Sequence, residues 1–281
     1  MERINFKQER DLGATLQDAS TFIKQNFFKM MKPTLLVVAI PLLLGSVMIF
    51  TGLQDMFGNM EAMNEDPTMI FSFMGEMFVS YFMIIIALIL SYVMFYGYIK
   101  LYVAGQEEIT LGDLMPILKS KGISLTFSAI LLFILMYIGL FLCVLPGIYL
   151  SIVFVHFFVI SIVEETGFCE TWKRSFFLIK DNWWYAFGLY FVTYLISLGI
   201  MMIFYIPIYA IMGVELLSAV EQNDPAAAMS NYMSSMSYVF PFYYLAALLM
   251  SLLFSVVSAL CYFSLVEQKE GTGERELIDS L

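Results

Sequence analysis

Long apolar runs separated by short polar stretches set the architecture of this chain. Apolar residues dominate about 34–53, 77–103, 123–163, 183–206 and 239–264. Each run is long enough for the roughly 20 residues that a helix needs to cross a hydrocarbon core. The run 123–163 would make a single helix of about 60 Å, twice the core thickness, so it must fold back. Pro146-Gly147 is the expected turn, because that dipeptide favours a tight reversal. The pattern therefore predicts an all-α, polytopic transmembrane bundle of six spans: about 34–53, 77–103, 123–144, 147–163, 183–206 and 239–264. Pro207 is expected to end or kink the fifth span. Residues 1–33 form an amphipathic N-terminal segment, 34–264 the membrane domain and 265–281 a polar tail.

Two of the polar stretches carry a helical face. Leu12, Leu16, Ala19 and Ile23 recur at i, i+4, i+7 and i+11, one side of a helix. Phe168, Trp172, Phe176, Ile179 and Trp183 follow the same rule, with Lys173, Arg174 and Lys180 at the edge. Such a helix is expected to lie in the membrane interface, with Trp183 and Trp184 anchoring the next span at headgroup level. A repeat runs through this layout. FIKQNFF at 22–28 matches LIKDNWW at 178–184, and QEEITLGDLMPILKSKG at 106–122 holds the equivalent place before span three. The chain reads as three copies of a surface helix followed by two spans. Ala247, Ser251, Ser255 and Ala259 stand at four-residue spacing. Small residues so placed form a packing seam between helices, and Pro146 and Gly147 are the packing residues of the hairpin.

Charge gives the orientation. All 14 Lys and Arg fall before span one, from the end of span two (Lys100) to the start of span three, between four and five, or after six. The opposite side holds Asp55, Glu61, Glu65, Asp66, Glu76, Glu215, Glu221 and Asp224 with no basic residue. By the positive-inside rule both termini are cytoplasmic. The composition agrees with the pattern: 14% of residues are charged, against about a quarter in soluble domains. A net charge of −10 argues against nucleic acid as a partner.

Chemistry is sparse. His156 is the sole histidine, and no Asp, Glu, Lys or Arg falls well inside a predicted span to pair with it. A neutral imidazole bonded between helices is the expectation. One histidine cannot supply a catalytic metal site, no phosphate-binding loop occurs, and Cys143, Cys169 and Cys261 are too scattered for a disulfide or zinc framework. No catalytic residue, metal or cofactor is predicted. Met56, Met60 and Met63 share their spacing with Met229, Met233 and Met236. Thioethers can take copper(I), but in a chain with 21 methionines the match reads as coincidence or an apolar face.

LPGIYLSI (145–152), EETG (164–167) and KRSFFLIKDNWWYAFG (173–188) together resemble the membrane domain of the bacterial glycerophosphoryl diester phosphodiesterase family and its uncharacterised YciC-type relatives. The resemblance covers about 45 residues. It implies a helical module of the bacterial inner membrane, without the soluble phosphodiesterase domain and its His and Glu cluster. The leading expectation is a non-enzymatic membrane module that binds lipid or scaffolds a partner membrane protein or a second copy of itself. Trp172, Lys173, Arg174, Lys180, Trp183 and Trp184 are the candidate lipid-headgroup or interface residues. The alternative is a transporter or channel for a small or lipidic substrate.

Overall fold

Apolar runs of this length satisfy their backbone polar groups internally only as helices, and helix is what they form. The computed structural model describes residues 3–58, 66, 68–142, 144–221 and 239–271, and no strand occurs among them. The helices are α1 (Leu12–Gly58), α2 (Thr68–Val103), α3 (Leu111–Leu142), α4 (Val144–Val163), α5 (Phe168–Ile179), α6 (Trp183–Glu221) and α7 (Val239–Glu270). All except α5 are long and apolar enough to cross a membrane, which gives six candidate spans and a multi-pass membrane protein.

Several boundaries differ from expectation. The N-terminal amphipathic stretch is continuous with span one in a single helix of 47 residues. The stretch before span three likewise opens α3. Only the third copy of the repeat keeps a separate surface segment. LIKDNWW straddles the break between α5 and α6, whereas FIKQNFF lies inside α1. Helix α6 runs on through Pro207 to Glu221. Helix α3 ends at Leu142 and α4 begins at Val144, ahead of the Pro-Gly pair. Pro146 sits in the first turn of α4, where its missing N–H would have had no helical partner. Gly147 serves close packing instead: a Cβ there would lie 2.5 Å from Leu140 Cγ. The methionines Met60, Met63, Met229, Met233 and Met236, Cys143 and the tail 272–281 lie outside the described residues.

The chain divides into two compact units. The first comprises Met1–Val37, Ile89–Leu195 and Ser251–Leu281, and holds every Lys and Arg among the described residues. Its N-terminal arm is tied down along its length. Arg3 donates to the carbonyls of Tyr102, Gly105 (3.3 Å) and Gln106 (3.2 Å). These lie at the end of α2, which closes in a Schellman turn: Gly105 at φ +98° lets Gln106 N–H reach Leu101 O at 3.2 Å. Phe6 is 2% exposed and meets the rings of Phe22, Tyr102 and Phe263 edge-on at 5.1–5.9 Å. Asp11 then caps α1 by accepting from Ala14 N–H at 2.7 Å. At the start of α3 the Asp113 carboxylate accepts from both the N–H and the hydroxyl of Thr110.

The second unit comprises Val38–Leu88 and Ile196–Met250. Gly45 and Gly52 of α1 face α2, where added Cβ atoms would lie 2.7 Å from Ile84 and Met77. Small residues here let the two backbones approach.

Candidate functional site

The aromatic residues of α5 pack onto α4. Phe168 meets Phe157 at 5.2 Å, Trp172 meets Phe154 at 5.5 Å, and Phe176 meets Tyr149 at 6.2 Å. The face expected to rest on lipid thus packs in part on protein, Phe168, Trp172 and Phe176 each being half-buried. Trp183 is also built in, stacked on Tyr149 at 6.1 Å and on Phe187 at 5.1 Å. Among the predicted interface residues, Lys173, Lys180 and Trp184 remain exposed, Trp184 at 78%.

Arg174 is engaged by protein as well. Its guanidinium pairs with both carboxylate oxygens of Glu270, the Nη2–Oε2 distance being 3.0 Å, and its Nε donates to Glu164 at 2.9 Å. Tyr262 donates a further bond to the same Glu164 oxygen at 2.8 Å. Glu270 foremost, with Glu164, holds Arg174 still more firmly in its charged form, against the opposing effect of burial. A guanidinium bonded to two carboxylates has no charge left over for a lipid phosphate. It clasps α5 to the ends of α4 and α7. Arg174→Gln is expected to cost about 1–2 kcal/mol, since the partners are only partly buried and solvent screens them. A double-mutant cycle with Glu270→Gln, read by SDS-induced unfolding in mixed micelles, checks it. Additive effects would refute the clasp.

The neighbouring turn is a second hub. Glu165 adopts φ +57°, a conformation that costs a residue with a side chain about 1–2 kcal/mol. Its carboxylate accepts from Lys100, which also donates to Ile162 O at 3.1 Å, while Lys121 donates to Thr166 O at 2.9 Å. The Lys100 hydrogen bond foremost, then its charge, holds the Glu165 carboxyl below its ordinary value. A carboxyl lowered by folding stabilises above its unfolded pKa, and loses that contribution as pH falls through the folded one. On acidification the unfolding midpoint of the wild type should therefore fall towards that of Glu165→Gln. High salt should shrink the difference, because the pair is exposed. Curves that stay parallel from neutral pH to pH 3 would contradict this.

His156 behaves as its isolation in the sequence predicts. It is fully buried, with Nδ1 3.1 Å from Ile152 O and Nε2 3.2 Å from the Tyr190 hydroxyl. A carbonyl can only accept, so Nδ1 carries the proton and Nε2 accepts from Tyr190. His156→Phe leaves the Tyr190 hydroxyl without that acceptor and is expected to cost about 1–3 kcal/mol. Tyr190→Phe in the same background should add little, which the unfolding midpoint would show.

The four small residues expected to form a packing seam lie on α7. Ser251, Ser255 and Ala259 are buried and Ala247 is half-buried. Ser251 bonds Ser91 at 3.1 Å, and Ser258, two turns on, bonds the Tyr96 hydroxyl at 2.7 Å.

Beside that seam lies a cavity the sequence did not announce. It has a volume of about 420 Å³ and is lined by Tyr92, Tyr96, Leu132, Phe133, Phe154 and Phe158, with further residues of α3, α4 and α7. Phe133 stands at its edge, 54% exposed, whereas Leu132, Tyr96 and Phe154 are buried. Three hydroxyls belong to the lining. Tyr96 is bonded to Ser258, and Ser151 donates to Ile148 O at 2.8 Å. The Tyr92 hydroxyl bonds to no described residue; the Tyr92 ring rests against Tyr96 and Phe158 at 6.1 and 5.9 Å. Among the described residues no group of three metal-ligating His, Cys, Asp or Glu occurs.

No family model, curated protein or solved structure matches this chain.

Proposed function

We propose that this chain is a non-enzymatic membrane module whose cavity between α2, α3, α4 and α7 holds the hydrocarbon chain of a membrane lipid. The cavity carries the reading. Its volume of about 420 Å³ falls within the range of small-ligand sites, roughly 300–1,000 Å³. Its walls are almost wholly apolar, and the spans around it face hydrocarbon rather than water. A dry apolar void in a bilayer forfeits dispersion contacts along its lining, and a lipid chain is the solvent at hand to restore them. The distribution of basic residues supports cytoplasmic termini, and a bacterial inner membrane is the location that the family resemblance implies. In that orientation exposed Lys173 and Lys180 stand on the side of the anionic leaflet.

Lipid retained by the gently purified protein, measured by mass spectrometry, tests the reading. Ala129→Phe narrows the cavity from α3 and should remove most of a stoichiometric lipid while the protein stays folded. Equal bulk lipid on both proteins would overturn it.

A further inference from the structure

The lipid-binding reading is coarse, and the Tyr92 hydroxyl sharpens it. We infer that the cavity is specific for an ester-linked acyl chain, whose carbonyl oxygen accepts a hydrogen bond from Tyr92; this rests on the cavity holding a lipid at all.

Every other hydroxyl in the lining has a partner within the protein. Tyr92 alone presents an O–H with no described acceptor, and its ring is held by Tyr96 and Phe158. A hydroxyl left without a partner in an apolar setting carries a desolvation penalty. Tyr92 is half-buried, and a tyrosine in an apolar wall where phenylalanine would pack as well makes sense when an arriving ligand supplies the acceptor. The donor selects the chemistry. A carbonyl oxygen takes an O–H bond well, and a saturated chain has nothing to offer it. A free carboxylate would bring a charge into the same apolar site, which has no cation in its lining and would be strongly disfavoured. A neutral ester satisfies both conditions, with its acyl tail along the aromatic wall.

The dimensions fit one chain segment. The lining runs from Ala129 to Met136 on α3 and from Ser151 to Phe158 on α4. At 1.5 Å per residue that is about 10 Å along each helix, roughly a third of the hydrocarbon thickness. Entry is lateral, past Phe133, which is 54% exposed on the apolar outer face of α3.

Trp172 gives a local reporter, because it packs on the cavity residue Phe154 at 5.5 Å. With Trp183→Phe and Trp184→Phe in place, it is the sole tryptophan. The full-length protein is reconstituted in vesicles of unbrominated ether lipid. Brominated lipids matched in headgroup and chain are then titrated in, ester-linked, ether-linked, or as the free fatty acid. The ester lipid should quench Trp172 at about 3- to 10-fold lower mole fraction than the ether lipid, the value of one hydrogen bond. Tyr92→Phe should abolish that preference and leave quenching by the ether lipid unchanged. Equal quenching by ester and ether, untouched by Tyr92→Phe, would overturn the carbonyl assignment while the lipid site stands. Preference for the fatty acid would overturn it as well. Quenching by all three that Ala129→Phe does not reduce would overturn the lipid site itself.

Discussion

Phe6→Ala is expected to lower stability by about 3–5 kcal/mol, the usual cost of emptying a large aromatic site in a packed core. Few single changes in this chain should do as much. Phe6 lies six residues ahead of the start of α1 at Leu12, yet it is 2% exposed and closes a cluster with Phe22, Tyr102 and Phe263. Those rings belong to α1, α2 and α7, so one side chain joins three helices. Its neighbours hold it there: Arg3 on the carbonyl end of α2, and Arg10 paired with Asp18 at 2.8 Å. SDS-induced unfolding in mixed micelles measures the loss. Phe28→Ala is the comparison, because Phe28 is 72% exposed and its removal leaves no internal cavity. If both substitutions shift the midpoint equally, the arm is no part of the folded unit.

Gly147→Val is the second large effect. A Cβ at this position would lie 2.5 Å from Leu140 Cγ and Cδ2 and 2.9 Å from Leu140 Cα. The leucine side chain could swing away, but its Cα belongs to the backbone of α3 and moves only if the hairpin opens. Overpacking of this kind costs typically about 1–3 kcal/mol, and a backbone clash belongs at the upper end. Gly147→Ala should shift the midpoint in the same direction by less. Leu140→Ala should rescue part of the valine defect and no more, because the Cα clash persists. Complete rescue would show that only side chains meet there.

The number of spans was legible because length and apolarity are local properties. A run such as 183–206 must become a helix wherever it packs, since its backbone has no other partner in hydrocarbon. The partner of each helix face was not legible. Phe168, Trp172 and Phe176 have the spacing of a membrane-surface helix, and that spacing is equally suited to packing on another helix. The tertiary structure places α4 against them. Arg174 shows the same limit: the sequence puts it beside Lys173, but Glu270, its strongest partner, is 96 residues away. The hairpin turn was misplaced by a few residues because proline is tolerated in a first helical turn. Phe6 was passed over because one aromatic in a polar stretch carries no periodic signal.

The sequence by itself determined the helical class, the six spans, the asymmetry of charge and the solitary character of His156. All of these follow from composition and period over short windows. Only the tertiary structure decided that Arg174 is a clasp, that the N-terminal arm is core, and that α2, α3, α4 and α7 leave a cavity with the Tyr92 hydroxyl in its wall. Each of these depends on side chains brought together from distant parts of the chain, and local periodicity carries no record of which faces will meet.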